Sequence, residues 1–301
     1  MKKIIVIGSR DSGNKNDPSE IARSINSDTA STNLLYWEDL SFDIKTGTVQ
    51  VKANDIDIFT DKPDLVIATG WYKNGKKVIY RDVAFALALV LHRYGVKFWN
   101  SEMGNQRSTT KLSTMVQLAL EGIAVPHTLF SLSFDNVASQ LSYPFIAKAA
   151  SASRGDMNYL VESVNVLGDI KRMDSYFLVQ EYLPNDHDLR VICFDGRPAL
   201  VLRRARLADA SSHLNNTSQG GSAMWLKLSD VSPEVLTNVE KICKIMGREM
   251  AGVDLIPDSS SPLGYSCLEV NAIPQLTSGT DSNIKLAAFA EALRATEGDV
   301  I

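Results

Sequence analysis

The chain has 301 residues, 45% hydrophobic and 22% charged, with 31 basic against 35 acidic side chains and a formal net charge of −4. That is enough apolar material for a large core spread over about two or three domains. The slight acidic excess leaves no electrostatic case for nucleic acid or an anionic membrane as the main partner. The three cysteines, Cys193, Cys243 and Cys267, are odd in number and lack metal-ligand spacing, which fits a reducing cytosol and packed, unreactive thiols.

In chain order, residues 1–8 place two lysines before an apolar run of five residues, shorter than a signal-peptide core, and read as a first buried strand. The longest apolar stretch, residues 83–91, is bounded by charges and falls far short of the roughly 20 residues of a membrane span. A soluble, cytoplasmic protein is expected, and a homo-oligomer is compatible with the sequence. Residues 3–7, 65–68 and 97–99 read as strands and residues 19–25 and 81–94 as helices, an alternation that argues for an open α/β sheet over residues 1–100. Gly8 and Gly13 do not form a GxGxxG fingerprint, so a dinucleotide site is not expected there.

Residues 106–121 read as an amphipathic helix stopped by Gly122. A compact α+β unit follows, with strands at 145–150, 159–162 and 176–181 and a helix at 164–173. Residues 189–194 and 198–204 form a hairpin around Asp195-Gly196, a strong two-residue turn signal. Simple pairing through that turn puts Asp188, Arg190 and Arg203 on one face and Arg204 on the other. Residues 207–222 form a long polar loop. Residues 250–256 and 265–272 read as a second hairpin, with Glu269 and Asn271 on one face and Asp254 roughly opposite.

Two carboxylates facing each other among Val, Leu and Ile repel and lose hydration, and a hard divalent cation resolves the conflict. Oxygen-only ligands favour Mg²⁺ or Mn²⁺ over zinc. The alternative is that each acid pairs with a nearby Lys or Arg. Lys148, inside the apolar run 145–150, calls for an anion such as a phosphate, and Arg154 in the next loop has the reach to fold over it; the alternative is a snorkelling or ion-paired lysine. Lys111 alone reads as a solvated helix residue. Glu181, Tyr182 and Leu183 end a strand just before Pro184, where freed backbone groups suit a flat heterocycle.

Taken in order, Lys111, Lys148, Gln180-Glu181-Tyr182-Leu183, Asp188-Leu189-Arg190, Arg203-Arg204, Asn215-Asn216, Asp254 and Glu269-Val270-Asn271 form a series that resembles the ATP-grasp superfamily. The resemblance covers roughly residues 100–295 and is to the RimK-like branch of carboxylate-amine ligases. It implies an α/β N-terminal domain (1–100) followed by an α+β ATP-grasp core, divided into a central or lid part (101–182) and a C-terminal part with the metal site (183–301). It implies that Lys148 and Lys111 hold ATP phosphates, Glu181, Tyr182 and Leu183 the adenine, Asp188 and Asn215-Asn216 other parts of the nucleotide, and Asp254, Glu269 and Asn271 two Mg²⁺ or Mn²⁺ ions. Two positions depart from the family pattern: Gly155 alone remains of a glycine-rich flap, and no arginine precedes Asn215, a charge that Arg203, Arg206 or Arg154 would have to supply.

The expected activity is ATP- and Mg²⁺-dependent joining of a carboxylate to an amine through an acyl phosphate, with Arg203 and Arg190 steadying the reacting groups. The substrates would be an amino acid, peptide or protein tail. The rival readings are an ATP-binding regulatory or scaffold protein and an ATP-dependent phosphotransferase.

Overall fold

The computed structural model of the protein describes residues 1–10, 16–26, 30–69, 77–100, 111–134, 140–150, 157–171, 173, 176–206, 215 and 222–295. Its first sheet is parallel, in the order β2 (Ala30–Tyr36), β1 (Lys2–Gly8), β6 (Leu65–Ala68), β7 (Lys97–Trp99). Helix α1 (Pro18–Ile25) starts where Asp17 Oδ1 accepts the backbone N–H groups of Ser19 (2.8 Å) and Glu20 (3.1 Å), with Pro18 at the first position. Gly8 is required at that corner, because a Cβ there would lie 2.8 Å from both Pro18 Cβ and Thr69 Oγ1. Helix α2 (Lys77–Arg93) begins one turn earlier than the sequence pattern suggests.

Between β2 and β6 the chain forms an antiparallel sheet of β3 (Leu40–Lys45), β4 (Thr48–Ala53) and β5 (Ile56–Asp57), which the sequence reading did not expect. Its signal is present: Leu40, Phe42 and Ile44 alternate with polar residues, as do Val49, Val51 and Ala53, around Gly47 at φ 82°.

The central sheet has the order β10 (Asn158–Val161), β9 (Phe145–Ala149), β11 (Phe177–Glu181), β8 (Thr128–Phe130), with α4 (Val164–Lys171) packed on one face. Phe145, Ala147 and Ala149 of β9 point into that helix-covered core with Phe177 and Val179. Lys148, between them in sequence, faces the other way. Of the expected helix at 106–121, α3 (Lys111–Leu120) is described, while residues 106–110 lie outside the described residues.

The third sheet is a five-stranded antiparallel one in the order β14 (Ser222–Leu226), β13 (Arg197–Ala205), β12 (His187–Phe194), β15 (Ala251–Pro257), β16 (Tyr265–Asn271). One face carries Leu189, Val191, Val201, Val253, Leu255 and Val270 into a core with α3 and α5 (Pro233–Met246). All three cysteines are buried and free, two of them on this sheet and Cys243 on α5, as expected. The opposite face is apolar at one end: Ile192 and Phe194 join Ile4, Val6, Ile67 and Trp99 of the first sheet and Phe289 of α6 (Ser282–Ala295) in one cluster. Phe289 is its hub, with ring centroids 5.1 Å from Phe194 and 6.2 Å from Trp99.

The Asp195-Gly196 turn forms as expected, both residues at positive φ, but a β-bulge follows. Cys193 pairs with Pro198 and Ile192 with Leu200, leaving Ala199 unpaired. From there the register is shifted by one, so Arg204 faces Asp188 and Arg203 faces Leu189. The expected grouping of Asp188, Arg190 and Arg203 is therefore corrected: Arg204 shares their face, and Arg203 is on the reverse.

Because Phe289 ties the first sheet to the third, Phe289→Ala should cost about 3–5 kcal/mol through lost burial and a residual cavity. Chemical denaturation followed by tryptophan fluorescence should show a lower midpoint.

Candidate active site

The polar end of the sheet face that carries Phe194 holds the acids. Asp254 of β15 stands directly opposite Glu269 of β16, and Gly252 opposite Asn271. An irregularity leaves Leu268 unpaired, turning Cys267 into the core while Glu269 stays beside Asp254. On the other side of Asp254, β12 brings Arg190 into register with it. Arg190 donates from Nε to Oδ1 and from Nη2 to Oδ2, each at 2.8 Å, a two-pronged contact. Arg204 donates from Nε to Asp188 Oδ1 at 2.6 Å, and its Nη2 lies 3.2 Å from Asp254 Oδ1.

Asp188, Arg204, Asp254 and Arg190 thus form a chain of alternating charge, with Asp188, Arg204 and Asp254 buried. Burial works to raise the Asp254 carboxyl, but Arg190 and Arg204 outweigh it and hold it below the usual carboxylate range. At Asp188 burial prevails, and the pKa lies above the ordinary value despite Arg204. Arg204 is raised, its burial outweighed by the two aspartates. The pairing of an acid with arginine, weighed against metal binding in the sequence, is thus realised at Asp254. Glu269 differs, since its carboxylate makes no hydrogen bond or ion pair with another described residue.

Lys148 of the central sheet reaches this group. Burial pushes its ammonium down to about 8; Glu269 and Asp254 pull the other way, and Lys111 adds to the fall. The structure therefore brings Lys148, Lys111, Glu269 and Asp254 together from β9, α3, β16 and β15.

The expected adenine residues lie where β11 ends. Glu181 Oε1 accepts from His127 N at 2.7 Å, and Gln180 Nε2 donates to Thr128 Oγ1 at 2.8 Å, while Gln180 Oε1 is buried with no hydrogen-bond partner among the described residues. Tyr182 and Leu183 are half-buried. Asn185 donates to Leu183 O at 2.8 Å and accepts from Asn215 Nδ2 at 2.7 Å, which ties Asn215 to the strand end. Asn215 is buried, and its Oδ1 has no hydrogen-bond partner among the described residues. Asn216, Arg154 and Gly155 lie outside the described residues. Arg203 is a third exposed and lies 3.7 Å from Asp186.

The donor set fits a hard cation. Asn271 shares the face of Asp254 and Glu269, and its buried amide nitrogen has no partner among the described residues. The oxygen and nitrogen of that amide are interchangeable by a flip, which would point its carbonyl at an ion. Among the described residues no group of three or more His, Cys, Asp or Glu is placed to hold a metal by itself. The ligands here are two acids and one amide, with the remainder left to phosphate or water.

Three contributors were not read from the sequence. Lys285 is buried on α6 and donates to the carbonyls of Gln275 and Ser278, bracing the loop after Asn271. Burial and Arg190 push its ammonium down to about 8. Its signal is spacing, because Lys285, Phe289 and Leu293 fall on one helical stripe where a lysine is out of place. Asn100, buried and at φ 60°, donates to Ala272 O at 2.8 Å and accepts from Met250 N at 3.0 Å. Asn185 gave no signal beyond being polar.

The RimK-like ATP-grasp domain family matches residues 108–293. A probable alpha-L-glutamate ligase of Aeromonas salmonicida (strain A449) is 30% identical over 207 residues, covering 64% of this chain and 67% of that protein. One of Shewanella denitrificans is 28% identical over 206 residues, covering 65% and 68%. The ATP-grasp ligase PsnB complexed with minimal precursor, Mg and ADP superposes with a TM-score of 0.70 at 17% identity, over 97% of this chain and 96% of that one. The D-alanine–D-alanine ligase from Bacillus anthracis complexed with ATP superposes with a TM-score of 0.59 at 15% identity, over 99% of both chains.

An α/β sheet followed by two further sheets that meet across a cluster of lysines and acids is the architecture of an ATP-grasp enzyme. The chain belongs to the RimK-like ATP-grasp family, and thereby to the ADP-forming carbon–nitrogen ligases that join carboxylates to amines. Among the described residues no helix is long and apolar enough to cross a membrane.

Lys148 and Lys285 both titrate near 8 in the folded chain against an ordinary 10.5. Between those values the unfolded chain holds more protons, so stability of the nucleotide-free protein should rise with pH across that window. Lys148→Met should remove part of the rise and stabilise the protein most at pH 8 and below, as measured by denaturant titrations from neutral pH to 10.5.

Proposed function

We propose that the protein joins a carboxylate to an amine through an acyl phosphate, with ATP as phosphoryl donor and two Mg²⁺ or Mn²⁺ ions as the metal. The observation that carries this reading is the meeting of Lys148 and Lys111 with Glu269 and Asp254, cations from one half of a cleft facing acids from the other. Lys148 and Lys111 bind phosphate oxygens, Glu181, Tyr182 and Leu183 the adenine, and Asn215 and Asn216 the phosphate end. Asp188 serves the nucleotide through Arg204, to which it is locked. Asp254, Glu269 and Asn271 hold the metal, which when bound neutralises charge on the transferring phosphate.

In the first step a carboxylate oxygen of the acid attacks the γ-phosphorus, the bond from that phosphorus to the β-phosphate oxygen breaks, and ADP leaves. In the second the nitrogen of a neutral amine attacks the acyl carbon, the carbon–oxygen bond to phosphate breaks, and the nitrogen loses a proton to solvent. No side-chain nucleophile is needed. The chain's residues position the partners and exclude water from the acyl phosphate. Arg190 is the group we assign to steadying the carboxylate and its phosphorylated form, because it lies on the face of the acids while Arg203 lies on the reverse. The names of the relatives favour an amino acid such as glutamate as the amine, joined to a peptide, protein tail or second amino acid.

ADP release that requires an acid and an amine together, with the product identified by mass, tests the ligase reading; release with an acceptor alone favours a phosphotransferase, and none at all a binding protein. Glu269→Gln should lower turnover by about a hundredfold or more with the melting temperature retained. Arg190→Lys should depress ligation far more than ATP affinity, since lysine lacks the planar fork, whereas Arg203→Lys should change both little. Calorimetry for ATP and turnover in the same preparations distinguish these outcomes.

A further inference from the structure

A carboxylate offers about four lone-pair positions. On Asp254, Oδ1 accepts from Arg190 Nε at 2.8 Å and has Arg204 Nη2 at 3.2 Å, while Oδ2 accepts from Arg190 Nη2 at 2.8 Å. What remains open at this end of the sheet is Glu269 and the Asn271 amide, too few ligands for the roughly six that Mg²⁺ takes. The charge count points the same way. Asp188, Asp254 and Glu269 are set against Arg190, Arg204, Lys148 and Lys111, so the described cluster is net positive before any nucleotide arrives. A bare dication meets repulsion there, and a polyphosphate reverses the sign while supplying the missing oxygens.

We infer that the divalent ion enters this site only together with nucleotide, and that the grip of Arg190 on Asp254 enforces that order. The inference rests on the assignment of Asp254, Glu269 and Asn271 as the metal ligands. Arg190 competes with the ion for Asp254, and yields an oxygen once a phosphate gives its guanidinium another partner. Arg204 stays in place throughout, since Asp188 holds it from behind.

Equilibrium dialysis of Mn²⁺ against the full chain, with and without ADP on both sides, tests this. The unaltered protein should retain Mn²⁺ in the presence of ADP and none at the same concentration in its absence. Arg190→Gln, its fold checked by melting and by metal-free ADP binding, should bind Mn²⁺ without nucleotide about tenfold more tightly than the unaltered protein, a shift of the size that partners of a metal ligand command. Arg190→Lys, which keeps the charge with a single donor group, should give a smaller gain and serves if the glutamine variant does not fold. Adding Glu269→Gln to either variant should abolish the gain. Equal Mn²⁺ binding with and without ADP, no gain in the Arg190 variants, or a gain that survives Glu269→Gln would each overturn the inference. Failure of the metal assignment itself reads differently: Glu269→Gln alone would then leave ADP-dependent Mn²⁺ binding unchanged.

Discussion

The site depends on one buried carboxylate. Asp254 lies on a strand whose neighbours in the sheet are Arg190 on one side and Glu269 on the other, and its burial is tolerable only because two guanidinium groups meet it. Truncating either arginine would leave an uncompensated charge, whereas truncating Asp254 would strand two cations. That mutual dependence fixes the relative positions of β12, β13 and β15 to within a hydrogen-bond length. The exposed side of Glu269 and the Asn271 amide are held in place by the backbone pairing of β15 with β16.

The same sheet face performs two tasks along its length. Its apolar end, Ile192 and Phe194, packs against the first sheet and α6, and its charged end faces Lys148. The loop at 272–281 lies between these tasks. It is held by Asn100 at Ala272, by Asn16 at Leu276, by Asp17 N at Thr277 Oγ1 and by Lys285 at Gln275 and Ser278. Movement of the first domain relative to the metal end of β16 would break these bonds together, so the N-terminal domain acts as a rigid wall of the site.

Much of this was legible in the amino-acid sequence because it is carried by short-range rules. The Asp254/Glu269 hairpin follows from two apolar runs and a turn-rich connection, and the parallel first sheet from alternating strands and helices. The error at Arg203 has a definite origin, since one unpaired residue, Ala199, flips every later side chain of β13, and no local pattern announces a bulge. The sheet β3–β5 was readable from alternation and was missed. Lys285 and Asn100 belong to another class: their partners are backbone atoms of distant segments, brought near only by the completed fold.

The position of Phe289 bears on how the chain reaches its native state. Ile4 and Val6 of the first strand complete their packing only when a helix centred near residue 289 arrives. During synthesis the N-terminal sheet would therefore emerge with an uncovered apolar side and remain so until nearly the whole sequence has left the ribosome. Chains arrested or cleaved before α6 would keep that surface open, and chaperone capture and aggregation should concentrate there rather than at the cleft.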